Sequence, residues 1–420
     1  MTKFKNKVFY GWVVVATFLV IGTVIYGLQN SFGVFFKSIE SAFLLTRTST
    51  STIFSVQNVF GCVLAFIGGW AVDKYGPRMI ALFIGFFTGL SLLLTSQTNE
   101  FWQLFVTYSL LFSVLGACYT TIISVVSRWF DKNRGLAIGI AGSGIGLGPV
   151  AIAPFAAYLI TSFDWRMAYI ILGLMAWLIV IPLSWLLKKS PDGTGIAANN
   201  TSSSSAESII VQAKDAAGDQ PAEFSFRDAT KTRSFWLFGS VWLLTAFCHF
   251  LILIHIVPHA TDIGISPMGA ATVLSVIGAS FVAGRLLMGK VSDVIGRKKT
   301  AIICSLFVTI SLLCLIWTKD LLMLYIFAVV YGFAQGGLDT SMAALIGDTF
   351  GMRNIGMITG TLQLTYGIGM IIGPAVGGFV FDVNSSYFVA FVVLIFIMLI
   401  VTLLLAFTRQ EMTMIKLPGK

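Results

Sequence analysis

Twelve segments of this chain are long and apolar enough to cross a lipid bilayer, and they constrain its fold more than any other feature. A spanning helix needs about 20 predominantly apolar residues. Segments of this kind lie at about 9–36, 50–73, 79–97, 101–127, 134–162, 166–187, 234–260, 267–291, 299–317, 321–349, 354–381 and 386–408. Composition agrees, because 57% of the 420 residues are hydrophobic and only 11% are charged. The sequence therefore predicts an all-α membrane protein with twelve transmembrane helices.

A polar stretch divides these segments into two groups of six. Residues 190–232 are rich in Ser and other polar residues and poor in aromatic residues, a composition too polar to bury a core. We interpret this stretch as a linker. It separates a predicted N-terminal six-helix bundle, 1–189, from a C-terminal one, 233–420.

The basic residues predict the orientation. If the N-terminus is cytoplasmic, 22 of the 27 Lys and Arg lie on the cytoplasmic side, and only Lys37, Arg47, Arg166 and Lys319 lie outside. This bias predicts a cell-membrane protein with both termini and the linker in the cytoplasm. It also accounts for the net charge of +9 without a nucleic-acid partner. The one basic residue left over is Arg285, inside a span.

The two halves repeat one another in sequence. GWAVDKYGPR at 69–78 recurs as GKVSDVIGRK at 289–298, with its two glycines and its aspartate each displaced by 220 residues. Internal repeats of this kind are typical of transporters that work by alternating access. We expect charged and small residues near these loops to form a cytoplasmic gate that breaks when the halves rock apart: Gly69, Asp73, Arg78, Arg134, Asp293 and Arg297.

With twelve spans in two halves and this repeated motif, the whole chain resembles the major facilitator superfamily. A narrower likeness lies at RWFDKNRGLAIGIAGSGIG, residues 128–146, which is similar to the monocarboxylate porter signature. Tyr10, Gly11 and Trp12 resemble that family's first-helix motif in shortened form. The related oxalate and formate exchangers share much of the pattern. The resemblance implies a carboxylate carrier, with Arg285 at the place of the family's carboxylate-binding arginine.

Two positions depart from these families. Phe281 stands one turn before Arg285, where the monocarboxylate porters often carry an acid or an amide. Leu362 stands where the oxalate exchangers carry a second buried base. A single intramembrane cation matches one carboxylate better than two.

The chemistry of Arg285 leads to the same conclusion without the family. A charge at mid-membrane costs roughly 2.5 to 3.5 kcal/mol on insertion scales, and such residues face a cavity or a partner. A guanidinium holds a carboxylate through two parallel hydrogen bonds and stays charged at every relevant pH. Arg285 is therefore the predicted ligand of a small organic anion.

Other polar residues of the spans recur at helical spacing. Stripes are formed by Tyr331, Gln335 and Asp339 and by Thr359, Gln363 and Tyr366, while Tyr26 and Tyr119 lie on the first and fourth spans. Tyr119, Arg285 and Asp339 lie at similar depth, which indicates a shared central cavity. The predicted substrate-binding residues are Arg285, Tyr119, His255, Tyr331, Gln363 and Tyr26.

Three residues are candidates for carrying a coupling proton. His255, His259 and Asp262 share one face of the seventh span, and His255 and Asp262 are our candidates there because His and a desolvated Asp take up protons near neutral pH. Asp339 is the third. We expect it to neutralise Arg285 in the empty carrier, so that carboxylate binding is coupled to protonation and transport is an electroneutral symport.

The alternative functions differ in class. An anion exchanger of the oxalate and formate type would show counterflow without a pH gradient. An enzyme is disfavoured because no span carries a zinc-binding H-E-x-x-H, a nucleophile elbow or paired carboxylates, and no P-loop indicates ATP coupling. The five cysteines lack the spacing of a metal site. We expect a monomer that contacts membrane lipid, with the proton as coupling ion and neither cofactor nor metal.

Overall fold

A computed structural model describes residues 10–130, 134–188, 226–350 and 355–408. The first half contains α1 (Tyr10–Ala42), α2 (Arg47–Tyr75), α3 (Pro77–Thr95), α4 (Phe101–Trp129), α5 (Arg134–Gly142, continued by Gly144–Ser162) and α6 (Trp165–Ser184). The second half contains α7 (Arg233–Asp262), α8 (Pro267–Ile295), α9 (Arg297–Ile316), α10 (Leu321–Phe350), α11 (Ile355–Asn384) and α12 (Phe388–Phe407). The predicted all-α architecture is confirmed. Most of the predicted linker lies outside the described residues, so its boundaries stay a prediction.

One of the twelve helices differs in character from the rest. Eleven of the described helical segments are apolar and long enough to cross a membrane, whereas α2 is long enough, at 29 residues, but is rich in Ser and Thr. Several of its polar side chains are buried among neighbouring helices. Gln57 and Asn58 are 0% and 2% exposed, and the amide of Gln29 in α1 donates to the side-chain oxygen of Asn58 over 3.2 Å. Polar contacts thus help to hold α2 inside the bundle.

The repeated loop motif forms the same turn in both halves. Gly76 separates α2 from α3 and Gly296 separates α8 from α9, with backbone φ of 83° and 97°. These left-handed conformations favour glycine because a Cβ would strain them. Since one residue makes each turn, the flanking helices reverse direction tightly, and the charged residues of the motif gather at the helix ends.

A cluster of aromatic residues brings together the first-helix motif at Tyr10–Trp12 and the aromatic pair Trp129 and Phe130 of the monocarboxylate porter signature. Trp129 and Phe130 at the end of α4 pack against Tyr10 and Trp12 at the start of α1, with ring centroids 5.6 and 5.1 Å apart. The indole nitrogen of Trp129 donates to the carbonyl oxygen of Lys188 after α6. Together these residues tie α1, α4 and α6 to one another.

The halves meet along two seams, α2 against α11 and α5 against α8. We call the end where α6 ends and α7 begins the linker end, and the opposite end, where α1 and α7 end, the distal end. The charge bias predicts that the linker end is cytoplasmic. Both ends lie along these seams, so a rocking motion of the halves would change access from each end to the predicted central site.

Candidate functional site

The centre of the site is an ion pair between α8 and α10. Nη2 of Arg285 lies 3.4 Å from Oδ2 of Asp339, as predicted. Glycines bring the two helices together: a Cβ on Gly284 would overlap the carbonyl oxygen of Phe333, and one on Gly336 would overlap that of Phe281. The pair leaves no net charge at this depth, which lowers the cost of placing Arg285 in the membrane.

The close approach of α8 and α10 gives a testable prediction. We expect Gly336→Ala to destabilise the protein by about 1 to 3 kcal/mol, because overpacking forces backbone shifts. A Cβ there would also lie 3.0 Å from the backbone nitrogen of Arg285. Thermal unfolding of the purified protein measures the effect.

Gly360→Ala is the matched control for this prediction. Gly360 is also a helical glycine, but nothing lies within 4 Å of its added Cβ. It should be neutral or gain up to about 1 kcal/mol from helix propensity. Equal unfolding temperatures for both variants would show that the α8–α10 contact adapts without strain.

The first half contributes tyrosines to the same site. Tyr119 of α4 lies within electrostatic range of Arg285 and Asp339, and Tyr26 of α1 lies within electrostatic range of Tyr119. A π-helical stretch, Phe105–Leu111, precedes Tyr119 within α4. Irregular turns of this kind often re-aim side chains at functional sites. Arg285 of the second half therefore faces Tyr119 of the first half.

Aromatic rings form a wall around the ion pair. The ring of Phe281 lies 5.6 Å from the guanidinium carbon of Arg285, a cation–π distance. Tyr366 of α11 lies within electrostatic range of both charged residues and packs against Phe250 at 6.0 Å. The monocarboxylate porters often carry an acid or an amide at the position of Phe281. This chain has an aromatic ring there, and the carboxylate beside Arg285 is Asp339 of α10.

His249 belongs to this wall although the sequence did not single it out. Its Nδ1 lies 3.1 Å from the hydroxyl of Tyr331, and its ring stacks between those of Tyr331 and Phe281 at 6.1 and 6.2 Å. His249 thereby connects Tyr331, which is 0% exposed, with Phe281 beside Arg285, and a role of Tyr331 as a ligand stays a prediction. Gln363 is exposed on α11, one turn from Tyr366. Its role as a ligand stays a prediction.

The structure places two predicted residues elsewhere. His255 bonds to Tyr387 and to the carbonyl oxygen of Pro374, and Asp262 bonds to Lys37 and Arg47. These contacts lie toward the distal end and do not join the Arg285 group. Roles of His255 and Asp262 in substrate or proton binding stay predictions, and their geometry favours a role in closing that end.

The distal cluster joins the two halves through charged residues. The two guanidinium Nη atoms of Arg47 hold the carboxylate of Asp262 at 2.9 and 2.7 Å, and one of them also donates to Tyr387 over 2.7 Å. Asp382 accepts the backbone N–H of Arg47 at the start of α2 and that of Thr48, over 2.9 and 2.8 Å. A carboxylate is well placed there, because a helix N-terminus carries partial positive charge. These contacts close the distal end.

At the linker end, the described ion pairs of Arg297 stay within the second half. Nη1 of Arg297 lies 2.5 Å from Asp293, and its Nε lies 3.5 Å from Asp348 of α10. In the first half, the guanidinium of Arg78 lies over the ring of Trp185 at 3.7 Å. The helices contain the other predicted gate residues Gly69, Asp73 and Arg134, but their surroundings are outside the described part of the structure. The gate stays a prediction.

The groups described here offer no place for a metal. Among the described residues, no three His, Cys, Asp or Glu side chains come together as a metal-binding group. The central site instead combines a cation, an acid and phenol hydroxyls within an aromatic wall. Such a site can hold an anion through charge-assisted hydrogen bonds.

Comparisons with known proteins agree with this architecture. The family model described as Major Facilitator Superfamily matches residues 13–286 and 250–418. Monocarboxylate transporter 12-B of Danio rerio is 25% identical over 91% of this chain and 83% of its own, and monocarboxylate transporter 13 of Bos taurus is 26% identical over 91% and 86%.

A solved structure shows the same fold at low identity. It is described as a bacterial homologue of the human lysosomal transporter Spinster in an inward-facing and unoccupied conformation. It superposes with a TM-score of 0.77 at 14% identity, over 98% of this chain and 99% of its own. Since the family model covers nearly the whole chain and the fold agrees, the chain belongs to the major facilitator superfamily and is a multi-pass membrane transporter rather than an enzyme.

Proposed function

We propose that this transporter carries a small monocarboxylate, such as lactate or pyruvate, together with one proton. The observation that carries the proposal is the partly exposed Arg285, which is ion-paired to Asp339 in its own half and faces Tyr119 of the other half within electrostatic range. A carboxylate that replaces Asp339 on the guanidinium would gain two parallel hydrogen bonds. The names of the relatives, monocarboxylate transporters 12-B and 13, support the same substrate class.

The charges of the site favour one carboxylate and one proton. Arg285 and Asp339 compensate each other when no substrate is bound. A substrate carboxylate adds a negative charge, and protonation of Asp339 removes one, so the loaded site stays neutral. Leu362, at the place of the exchangers' second base, is an apolar residue with 0% exposure. A dicarboxylate would leave its second charge without a partner there.

Exposure indicates how the substrate reaches the site. The side chains of Arg285 and Asp339 are 29% and 36% exposed, although both lie well inside their helices. The distal cluster closes one end, so this exposure is directed to the linker end. With the predicted orientation, this is an inward-open carrier in the cell membrane. Alternating access requires that the distal cluster open in turn. We propose that it works as a monomer and uses no cofactor besides the proton.

Uptake into proteoliposomes tests the proposal. We expect an inward proton gradient to drive accumulation of radiolabelled L-lactate or pyruvate above the external concentration, and a protonophore to abolish it. Liposomes without protein are the control. Labelled oxalate should not accumulate, because the site offers it one cation.

Counterflow separates symport from exchange. A symporter accumulates external substrate inside liposomes that contain none at the start when a pH gradient is imposed. An exchanger takes up label only into liposomes preloaded with unlabelled anion. Uptake that requires preloading and ignores the pH gradient would replace the symport proposal by carboxylate exchange.

A further inference from the structure

A chain of hydrogen bonds connects the distal cluster to a buried histidine. Nη1 of Arg47 lies 2.7 Å from the hydroxyl oxygen of Tyr387, and that oxygen lies 2.9 Å from Nδ1 of His255. The other ring nitrogen of His255, Nε2, lies 2.8 Å from the carbonyl oxygen of Pro374. The chain therefore runs from α2 of the first half through Tyr387 to α7 and α11 of the second half.

The chemistry of the end groups fixes the direction of every proton. An arginine can only donate and a carbonyl can only accept, so Arg47 donates to Tyr387 and Nε2–H of His255 donates to Pro374. The Tyr387 hydroxyl, which accepts from Arg47, then donates its single hydrogen to Nδ1 of His255. Burial raises the pKa of Tyr387, so the phenol keeps this proton at physiological pH. We therefore assign His255 as a neutral imidazole with its proton on Nε2, the form in which each group of the chain has a partner.

The residues around the His255 ring hold it in this position. His255 is 0% exposed, and its ring meets that of Phe36 of α1 edge to face at 5.3 Å. Gly377 faces its other side, where an added Cβ would lie 2.7 Å from the ring. Both ring nitrogens are thus satisfied within a tight pocket at the seam of the two halves. Since Phe36 and Arg47 come from the first half and His255 and Tyr387 from the second, opening of the distal end would separate the walls of this pocket.

We propose that His255 is a proton-sensitive latch on the distal end: the neutral ring holds that end closed, and protonation releases it. The proposal goes beyond the transported substrate, because it concerns the empty carrier. It assigns to His255 the control of access rather than contact with the carboxylate.

Protonation would break the chain at Tyr387. An imidazolium donates from both nitrogens, so Nδ1–H would point at the oxygen that already accepts from Arg47. Two cations would then share one buried oxygen, and the Tyr387 hydrogen would lose its acceptor. An unmade buried hydrogen bond and a like-charge pair both disfavour this arrangement.

The neighbouring charged residues do not stabilise a protonated His255 in the closed state. Asp262 is held by Lys37 and Arg47, and Asp382 by the start of α2. Glu40 faces Nε of Arg47 at 3.5 Å. The ring of His259, one turn further along α7, lies against Tyr387 and Phe391. In the described contacts, no carboxylate bonds the ring of His255, so an imidazolium there has no counter-ion within hydrogen-bond reach.

The direction of the pH effect follows because the closed distal end does not accept a protonated His255. The closed end accepts only the neutral ring, whereas an open end exposes His255 to water, where imidazole has a pKa of about 6.5. Protons therefore bind preferentially to the distal-open state, and acid shifts the population toward it. With the predicted orientation, an acidic exterior would favour the state that faces it.

Distances between spin labels test the latch without any substrate. Leu44 after α1 and Met268 at the start of α8 are exposed at the distal end of opposite halves. Both would be replaced by labelled cysteine in liposomes, with Cys62 and Cys314 replaced by Ser. We expect one short distance at about pH 8 and a several-fold larger fraction of a longer distance at about pH 5.5.

Three variants decide the assignment. His255→Gln cannot be protonated, so its distance distribution should not change with pH. Tyr387→Phe removes the central hydroxyl and should raise the open fraction equally at both pH values. His259→Gln, on the same helix but outside the hydrogen-bond chain, should keep the full response. A wild type without a pH response, a response that survives in His255→Gln, or its loss in His259→Gln would overturn the proposal.

The outcome is independent of the proposed transport activity. A latch that responds to pH in a protein that fails to accumulate monocarboxylates would leave the latch intact and remove the substrate assignment. Proton-driven uptake in a protein whose distal end does not respond to pH would leave the substrate assignment intact and remove the latch.

Discussion

Arg285→Lys is expected to raise the Kd for the transported carboxylate by about 10- to 100-fold, since a hydrogen bond to a charged group contributes roughly 1.5 to 3 kcal/mol. Lysine keeps the positive charge, but its ammonium cannot form two parallel hydrogen bonds to a carboxylate. It would also change the pair with Asp339, which the guanidinium makes at 3.4 Å. Charge alone would then attract the anion without orienting it.

The matched control for this prediction is Arg166→Lys. Arg166 lies at the distal start of α6 and donates to the carbonyl oxygens of Ser96 and Thr98 over 3.1 and 2.7 Å, away from the site. The two variants make the same chemical change. A thermal-shift titration with lactate or pyruvate should show a weakened response only for Arg285→Lys. Equal stabilisation of both variants by the carboxylate would remove Arg285 from the site.

Sequence reasoning located the centre of the site because charge is scarce in the spans. Arg285 stood out as the one basic residue that the orientation could not place in water. Asp339 followed from its depth and from the need to neutralise a buried cation, and the structure confirms the contact. The twelve helices and the repeated turns at Gly76 and Gly296 were equally visible, since length, apolarity and motif spacing are properties of the chain itself.

What the sequence could not supply is the angle at which helices face one another. His249 lies on a different face of α7 from His255, and only the packing of α7 against α10 shows that its face meets Tyr331. Arg47 counted as one of four outer basic residues, yet it binds Asp262, 215 positions away, across the two halves. Contacts between halves depend on which state of the carrier is populated, and no periodicity records that.

Asp339→Asn is expected to abolish proton-driven accumulation while substrate counterflow persists. Asparagine preserves the shape of the side chain but can neither neutralise Arg285 nor carry a proton. The freed guanidinium should bind the carboxylate at least as tightly as in the wild type at about pH 8, and binding should lose its pH dependence. In the wild type, acid should favour binding, because protonation of Asp339 releases Arg285 to the substrate.

Asp320→Asn provides the comparison on the same helix. Asp320 caps the start of α10 by accepting the backbone N–H of Met323 over 2.8 Å, and asparagine caps helices about equally well. Accumulation under an imposed pH gradient should be unchanged in this variant and should fall to the no-gradient level in Asp339→Asn. If Asp339→Asn accumulated substrate normally while Asp262→Asn did not, the proton would travel through the distal cluster. Because Asp262 is engaged by two cations in the closed state, that route would require the distal end to open before the proton could bind, and coupling would then reside in the opening step itself.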